Sequence, residues 1–307
     1  MPLNKLRWVQ KAKSLLRGLK EGKQAAPEDV DYVLREMDKL PVLAASSLRL
    51  SEVRDAFGLK RDDRLEEIWG PEEKDIIPVP ETVLSRIYDM EQALGHDPTN
   101  EATVRWKLDI ILQACVRVEQ KNVAMRHPER TEKPVTLTAE THLECEIVHK
   151  GQAVILNGRS DYTMWYGDHG LDTNLVICEA KDRCNHGTGL GQCLAYMAMV
   201  HKIRKKENHI NSIIYGCVTD GEMFSFLRID NDDKYSFWHC QEWGVNPSAR
   251  NKIWTHLVRI TKCASALSPR TSVKKVNRVV DASSGEQKYW KIQFGSSSGM
   301  SEEEMEL

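Results

Sequence analysis

The stretch "LVICEAKDRCNHGTGLGQCLAYMAMV", residues 175–200, decides the reading of this 307-residue chain. A short apolar run carries Glu179 and Lys181. A glycine-rich segment follows, and a long apolar run closes the stretch. Three incompatible sites are written into it. Gly187, Gly189 and Gly191 suggest a nucleotide-binding turn. Cys178, Cys184, His186 and Cys193 suggest zinc. Glu179 and Lys181, followed by Gln192 and Tyr196, suggest a nuclease centre.

The nucleotide reading is weak on spacing. A dinucleotide fingerprint needs its first glycine in the tight turn directly after the strand, because the pyrophosphate sits over the helix N-terminus. Here Asp182 to His186 intervene and the glycines read GxGxG. They are better explained as a flexible loop before a helix. Zinc is weak on geometry, since no CxxC or HxxxH pair is present. Cys178, on the strand face opposite Glu179, suits a small buried hydrophobe.

The third reading makes demands that are met together. Strand alternation puts Glu179 and Lys181 on one face. "NGRSDY" places Asp161 at the end or bend of an earlier strand. If the two strands are neighbours, Asp161 and Glu179 can share one divalent cation. Carboxylate oxygens suit Mg²⁺ or Mn²⁺. Such an ion polarises a phosphodiester and lowers the pKa of water, and Lys181 would sit beside the developing negative charge. Gln192 and Tyr196, four residues apart, face the same side of the following helix. Plainer alternatives stand for each residue alone: Glu179 and Lys181 as an in-sheet ion pair, Tyr196 as a core aromatic. Their joint occurrence, in this order, carries the reading.

Upstream, "EATVRWKLDIILQACVRV" predicts a helix capped at Thr99-Asn100. Val104, Leu108, Ile111, Leu112 and Cys115 form its buried stripe. Glu101 lies on the same inward face, where a carboxylate wants a partner and can add a metal ligand. An exposed first-turn acid favoured by the helix dipole is the alternative. From residue 137 the period is two, and "LECEIVHKGQAVILNGRSDYTMWY" reads as two or three strands turning at Lys150-Gly151. Downstream, "SIIYGCVTDGEMFSFLRID" is a hairpin with Asp220-Gly221 at its turn, and "KYSFWHC" is a strand. "PSARNKIWTHLVRITKCASALSP" is a helix burying Ile253, Leu257, Ile260, Ala264 and Leu267. This order predicts an α/β domain around a mixed sheet.

Residues 1–94 read as a helical accessory region. "PEDVDYVLREMDKL" and "PETVLSRIYDMEQAL" place apolar residues at helical spacing, and "WGPEEKDIIPVP" between them reads as a linker. Residues 271–307 read as a flexible acidic tail, with "YWKIQF" a short strand inside it. With 41% apolar and 29% charged residues the composition is that of a soluble globular protein. The formal charge of −2 means that any basic surface must be local. No run of about 18 apolar residues exists, so no membrane span is expected. Eight cysteines without a CxxC pair, and no secretory apolar segment, point to a reducing nuclear or cytoplasmic compartment and to no disulfide-linked partner. The basic first 23 residues leave a mitochondrial presequence open, with a surface helix or nucleic-acid-binding arm favoured.

Taken together, "GRSDY", "VICEAK" and "GQCLAYMAMVH" resemble the PD-(D/E)xK nuclease superfamily, and the Gln192-x-x-x-Tyr196 spacing resembles its RecB-like branch. "NEATVRWKLDIIL", "YGCVTDGEMFSFLRID" and the last helix ending in "SP" are similar to a fungal group of PD-(D/E)xK nuclease-like proteins. The resemblance covers residues 95–270. It implies a restriction-endonuclease-like core, a central mixed β-sheet flanked by helices. It implies phosphodiester hydrolysis with Mg²⁺ or Mn²⁺ as cofactor and nucleic acid, expected to be DNA, as partner. By this likeness Asp161 is the metal-ligating aspartate, Glu179 the second acid and Lys181 the catalytic lysine. Glu101 matches the acid of the first core helix, and Gln192 and Tyr196 fill the branch motif. No proline precedes Asp161, a departure from the full pattern, and residues 1–94 have no counterpart. Arg159, Arg183, Lys202, Arg204, Lys205 and Lys206 are candidate phosphate contacts, although cations ending a helix also complement its dipole. A catalytically inactive module of the same fold, binding nucleic acid or protein, is the alternative.

Overall fold

The computed structural model describes residues 14–15, 17–18, 26–31, 40–70, 75–95, 100–126, 135–165, 176–181, 186–206, 211–240 and 242–266. The chain packs as two compact units. The smaller takes residues 1–43 and 146–156. Within it the Ile155 N–H donates to the Pro41 carbonyl at 2.9 Å, and Lys150 and Gly151 turn the hairpin with positive φ at both positions, as a two-residue turn requires.

The larger unit takes residues 44–145 and 157–307. The strands of the chain are β1 (Val42–Ala44), β2 (Lys60–Arg61), β3 (Thr136–His149), β4 (Gln152–Trp165), β5 (Val176–Ala180), β6 (Ile214–Thr219), β7 (Phe224–Ile229) and β8 (Lys234–Cys240), with residues 146–149 of β3 and 152–156 of β4 counted in the smaller unit. The helices are α1 (Leu50–Phe57), α2 (Leu65–Trp69), α3 (Glu81–Leu94), α4 (Glu101–Arg126), α5 (His186–Lys206) and α6 (Pro247–Ala266). The sheet runs β4-β5-β6-β7-β8-β2, with β3 also paired to β4. β5 is antiparallel to β4 and parallel to β6. That parallel step is bridged by α5, because two parallel neighbours need a crossover. The fold is therefore mixed α/β.

Helices cover both faces. Leu108 and Ile111 of α4 and Ile253 and Leu257 of α6 pack with Tyr162, Ala180, Cys217 and Phe226 in one apolar cluster. On the other face α5 packs on β5, β6 and α1. Every residue of β6 and β7 is buried, as expected of strands covered on both sides. The helix α4 starts where Asn100 Oδ1 accepts the Thr103 N–H at 3.0 Å, and all five residues of its expected apolar stripe are buried. It continues to Arg126, beyond the expected end at residue 118.

Three expectations change. The glycine-rich segment is not a loop: Gly187, Gly189 and Gly191 lie in the first turns of α5. Packing outweighs the low helix propensity of glycine there. The second correction concerns "WGPEEKDIIPVP". Residues 75–80 are not a free linker but a strap on α6. Ile77 N–H donates to Thr255 Oγ1 (2.8 Å), Val79 N–H to Asn251 Oδ1 (3.0 Å), and Arg259 to the Asp75 carbonyl (2.9 Å). Third, the boundary expected at residue 94 is not where the packing divides. Residues 44–94 join the larger unit, and β2 extends its sheet by pairing parallel to β8.

The 271–307 tail, "YWKIQF", Arg183, Leu267 and most of the basic N-terminus lie outside the described residues. No helix among the described residues is long and apolar enough to cross a membrane. Cys115, Cys193, Cys217 and Cys263 are buried and Cys145 is half-buried.

Candidate functional site

The β4–β5 pair builds the site. Its register sets Tyr162 against Cys178 and Thr163 against Ile177, so Asp161 and Glu179 are the next residues along the two strands. The buried Asp161 then closes the pair with its own side chain, Oδ2 accepting the Ala180 N–H at 2.7 Å. Burial pushes the Asp161 carboxyl above its ordinary pKa, against the opposite pull of that N–H, Arg105 and Lys181. The Glu179 backbone pairs with Val218 of β6; its side chain lies outside what the structure describes.

Lys181 is the first residue after β5. Its N–H donates to the Thr219 carbonyl at 2.8 Å, prolonging the β5–β6 pairing. The side chain is buried along α5, and Gly189 makes the room. A Cβ at Gly189 would stand 2.9 Å from Lys181 Cγ and 2.7 Å from Val218 Cγ1. Lys181 Nζ reaches 3.9 Å from Glu101 Oε2. Asp161, Lys181 and Glu101, predicted from three separate segments, therefore meet.

What holds them together is a residue the sequence reading passed over. Arg105 Nη2 donates to Glu101 Oε1 at 2.8 Å and to Asp161 Oδ1. Its Nη1 donates to Glu140 Oε1 at 3.0 Å. The Tyr162 hydroxyl donates to the Arg105 carbonyl at 3.1 Å, anchoring this turn of α4 to β4. Glu140 sits within β3 at φ +58°, a left-handed conformation that costs a side-chain-bearing residue about 1–2 kcal/mol. Its second oxygen accepts from Arg159 at 3.3 Å. Arg105 could have been found as the residue four positions after Glu101, where a helix places a partner. Nothing in the sequence marks Glu140.

Gln192 and Tyr196 do share one side of α5, and Gln192 Nε2 donates to the Tyr196 hydroxyl at 3.2 Å. That hydroxyl donates to the Arg159 carbonyl at 3.1 Å. The Tyr196 ring covers Gly158, where any Cβ would lie 2.5 Å from the hydroxyl oxygen. Both residues are thus tied to the backbone of β4 just before Asp161. Arg159 is exposed at the site's rim. Of the helix-end cations, Arg204 is buried and donates to the Asn211 carbonyl, and Lys205 pairs with Asp233 at 2.7 Å. Lys202 and Lys206 are exposed. A helix rise of 1.5 Å per residue sets Lys205 about 24 Å along α5 from Gly189, so this cluster is not part of the Asp161 site. Cys193 of the zinc set is buried beside Met197 and the Cys217 carbonyl.

Among the described residues no group of three or more His, Cys, Asp or Glu side chains forms a ready metal-binding set; the charge at the centre of the cluster is a guanidinium. A cavity of about 600 Å³ lies on another flank of α4, lined by Tyr88, Glu91, Lys107, Glu222 and Trp243. Its buried Lys107 already pairs with Glu222 at 2.6 Å and Glu91 at 3.5 Å. None of the Asp161 cluster lines it, so cavity size does not locate the chemistry. No protein-family model matches the chain, and no curated protein is significantly similar to it.

Proposed function

We propose that this protein is a metal-dependent nuclease of PD-(D/E)xK type, hydrolysing phosphodiester bonds of nucleic acid, with DNA the expected substrate. The observation that carries the reading is the convergence of Asp161 and Glu101, from a strand and a helix, on one cationic nitrogen, with Lys181 Nζ alongside. Carboxylate oxygens aimed at one positive centre are the donor chemistry of Mg²⁺ or Mn²⁺. Asp161 and Glu101 would hold the ion, with Glu179 the further acid across the strand pair. When bound, the ion supplies Lewis acidity to the phosphodiester and makes water more acidic.

The chain's own groups do the rest. Lys181, held in a buried channel by Gly189, offsets negative charge that develops on the phosphate. Gln192 and Tyr196 fix the backbone that presents Asp161. Arg159, exposed beside it, is placed to contact a backbone phosphate. The test is cleavage of supercoiled plasmid and of single-stranded DNA with Mg²⁺ or Mn²⁺, comparing wild type with Asp161→Asn and Lys181→Ala. Cutting by wild type and a loss of about 100-fold or more in each variant is expected. Equal activity in all three would overturn the assignment.

A second reading has its own observation. Arg105 and Lys181 already offset the charges of Asp161 and Glu101, so the cluster can complete itself without an ion. On that reading the fold is an inactive module that binds nucleic acid or protein. Calorimetry separates the two: DNA binding with no uptake of Mg²⁺ or Mn²⁺ favours the module.

A further inference from the structure

We infer that Arg105 is a resident cation that competes with the divalent ion, and that an ion enters only when the guanidinium swings outward onto Glu140. The inference rests on the metal-site reading above. Three observations carry it. First, the two oxygens best placed to ligate an ion, Asp161 Oδ1 and Glu101 Oε1, are both taken by the same nitrogen, Arg105 Nη2. An ion cannot take the position between these oxygens while that nitrogen fills it.

Second, the described side chains of the cluster balance. Glu101, Glu140 and Asp161 face Arg105, Arg159 and Lys181. A doubly charged ion between Asp161 and Glu101 would stand within a few ångströms of Arg105 and Lys181, and like charges that close oppose binding. Moving Arg105 out restores the match between ion and carboxylates.

Third, Arg105 has a way out and an incomplete hold. Its side chain is about one-third exposed. Among the described residues its buried Nε has no hydrogen-bond partner, an unmet donor that weakens the inward position. Glu140, half-exposed, already accepts from Nη1 and stands outside the Asp161–Glu101 pair. Its left-handed backbone is a local cost that the fold retains at this position. Glu140 can keep the guanidinium after Asp161 and Glu101 have released it.

The test is calorimetric titration of wild type and Arg105→Gln with Mn²⁺. Removing the competing charge should tighten Mn²⁺ binding about tenfold, and Mn²⁺ should raise the melting temperature of Arg105→Gln more than that of wild type. Binding by Arg105→Gln alone overturns the outward swing and leaves the arginine an outright block. Equal or weaker binding by the variant, with wild type binding, overturns the competition and leaves the metal site standing. No binding by either protein overturns both. Should Arg105→Gln fail to fold, wild type still answers. The Arg105 side-chain NH resonances, assigned by their loss in Arg105→Lys, should shift on Mg²⁺ addition. Unmoved resonances under saturating Mg²⁺ overturn the inference.

Discussion

Asp161 is where burial and charge oppose each other most directly. Its carboxyl is lifted above its ordinary range by burial, despite the Ala180 N–H and two nearby cations. A carboxyl raised in the fold binds its proton more readily folded than unfolded. The stability it gives is present below the unfolded value and is lost as pH rises through the folded one. Asp161→Asn, which keeps an acceptor for Ala180, lacks that dependence. Lowering pH from 7 to 4 should therefore shift the stability difference in favour of wild type, checked by urea midpoints at both pH values. Metal uptake should weaken over the same fall in pH, as the carboxyl protonates. Asp161, Lys181 and Glu101 were legible because strand alternation and helical spacing fix which side chains share a face. Arg105 and Glu140 were not. Their roles arise from the approach of α4 and β3 to β4, which no local period encodes.

At the scale of elements, α5 supports the site. Its glycines were read as a flexible loop before the helix, and they serve as clearances within it: Gly189 lets Lys181 lie against the helix. Gly189→Ala gains about 1 kcal/mol of helix propensity, but the new Cβ overlaps Val218 and Lys181, an overpacking worth about 1–3 kcal/mol. A net loss of about 1 kcal/mol is expected in denaturant titration. Displacement of Lys181 should lower cleavage further than that loss of stability explains. The strand and helix order from residue 101 onward was legible, because α4, the β6–β7 hairpin and α6 each carry a clear period or turn signal. The strap at residues 75–80 was not. Its prolines and charges mimic a linker, and its order comes from Asn251 and Thr255 on a distant helix.

At the scale of the whole larger unit, the core contains a titratable group with a clear signature. His256 packs against both Trp69 and Phe226, with ring centroids 6.0 and 5.1 Å away, and among the described residues its buried Nδ1 has no partner. Burial, helped by Arg259 and Lys252, pulls its pKa down to about 3. A histidine depressed in the fold stays neutral there while the unfolded chain takes up a proton. Stability is full above about 6.5 and falls as pH drops toward 3, by up to about 1.4 kcal/mol per pH unit. His256→Phe should flatten that part of the stability profile, measured by thermal melts between pH 7 and pH 4. The convergence of Asp161, Glu101 and Lys181 around one cation position is the claim on which the functional reading stands. Anomalous diffraction from crystals soaked in Mn²⁺ tests it most directly. One peak about 2.1 Å from carboxylate oxygens of Asp161 and Glu101, with Arg105 turned onto Glu140, is the expected result. A map with no peak there, and Arg105 still bridging the two acids, would contradict it.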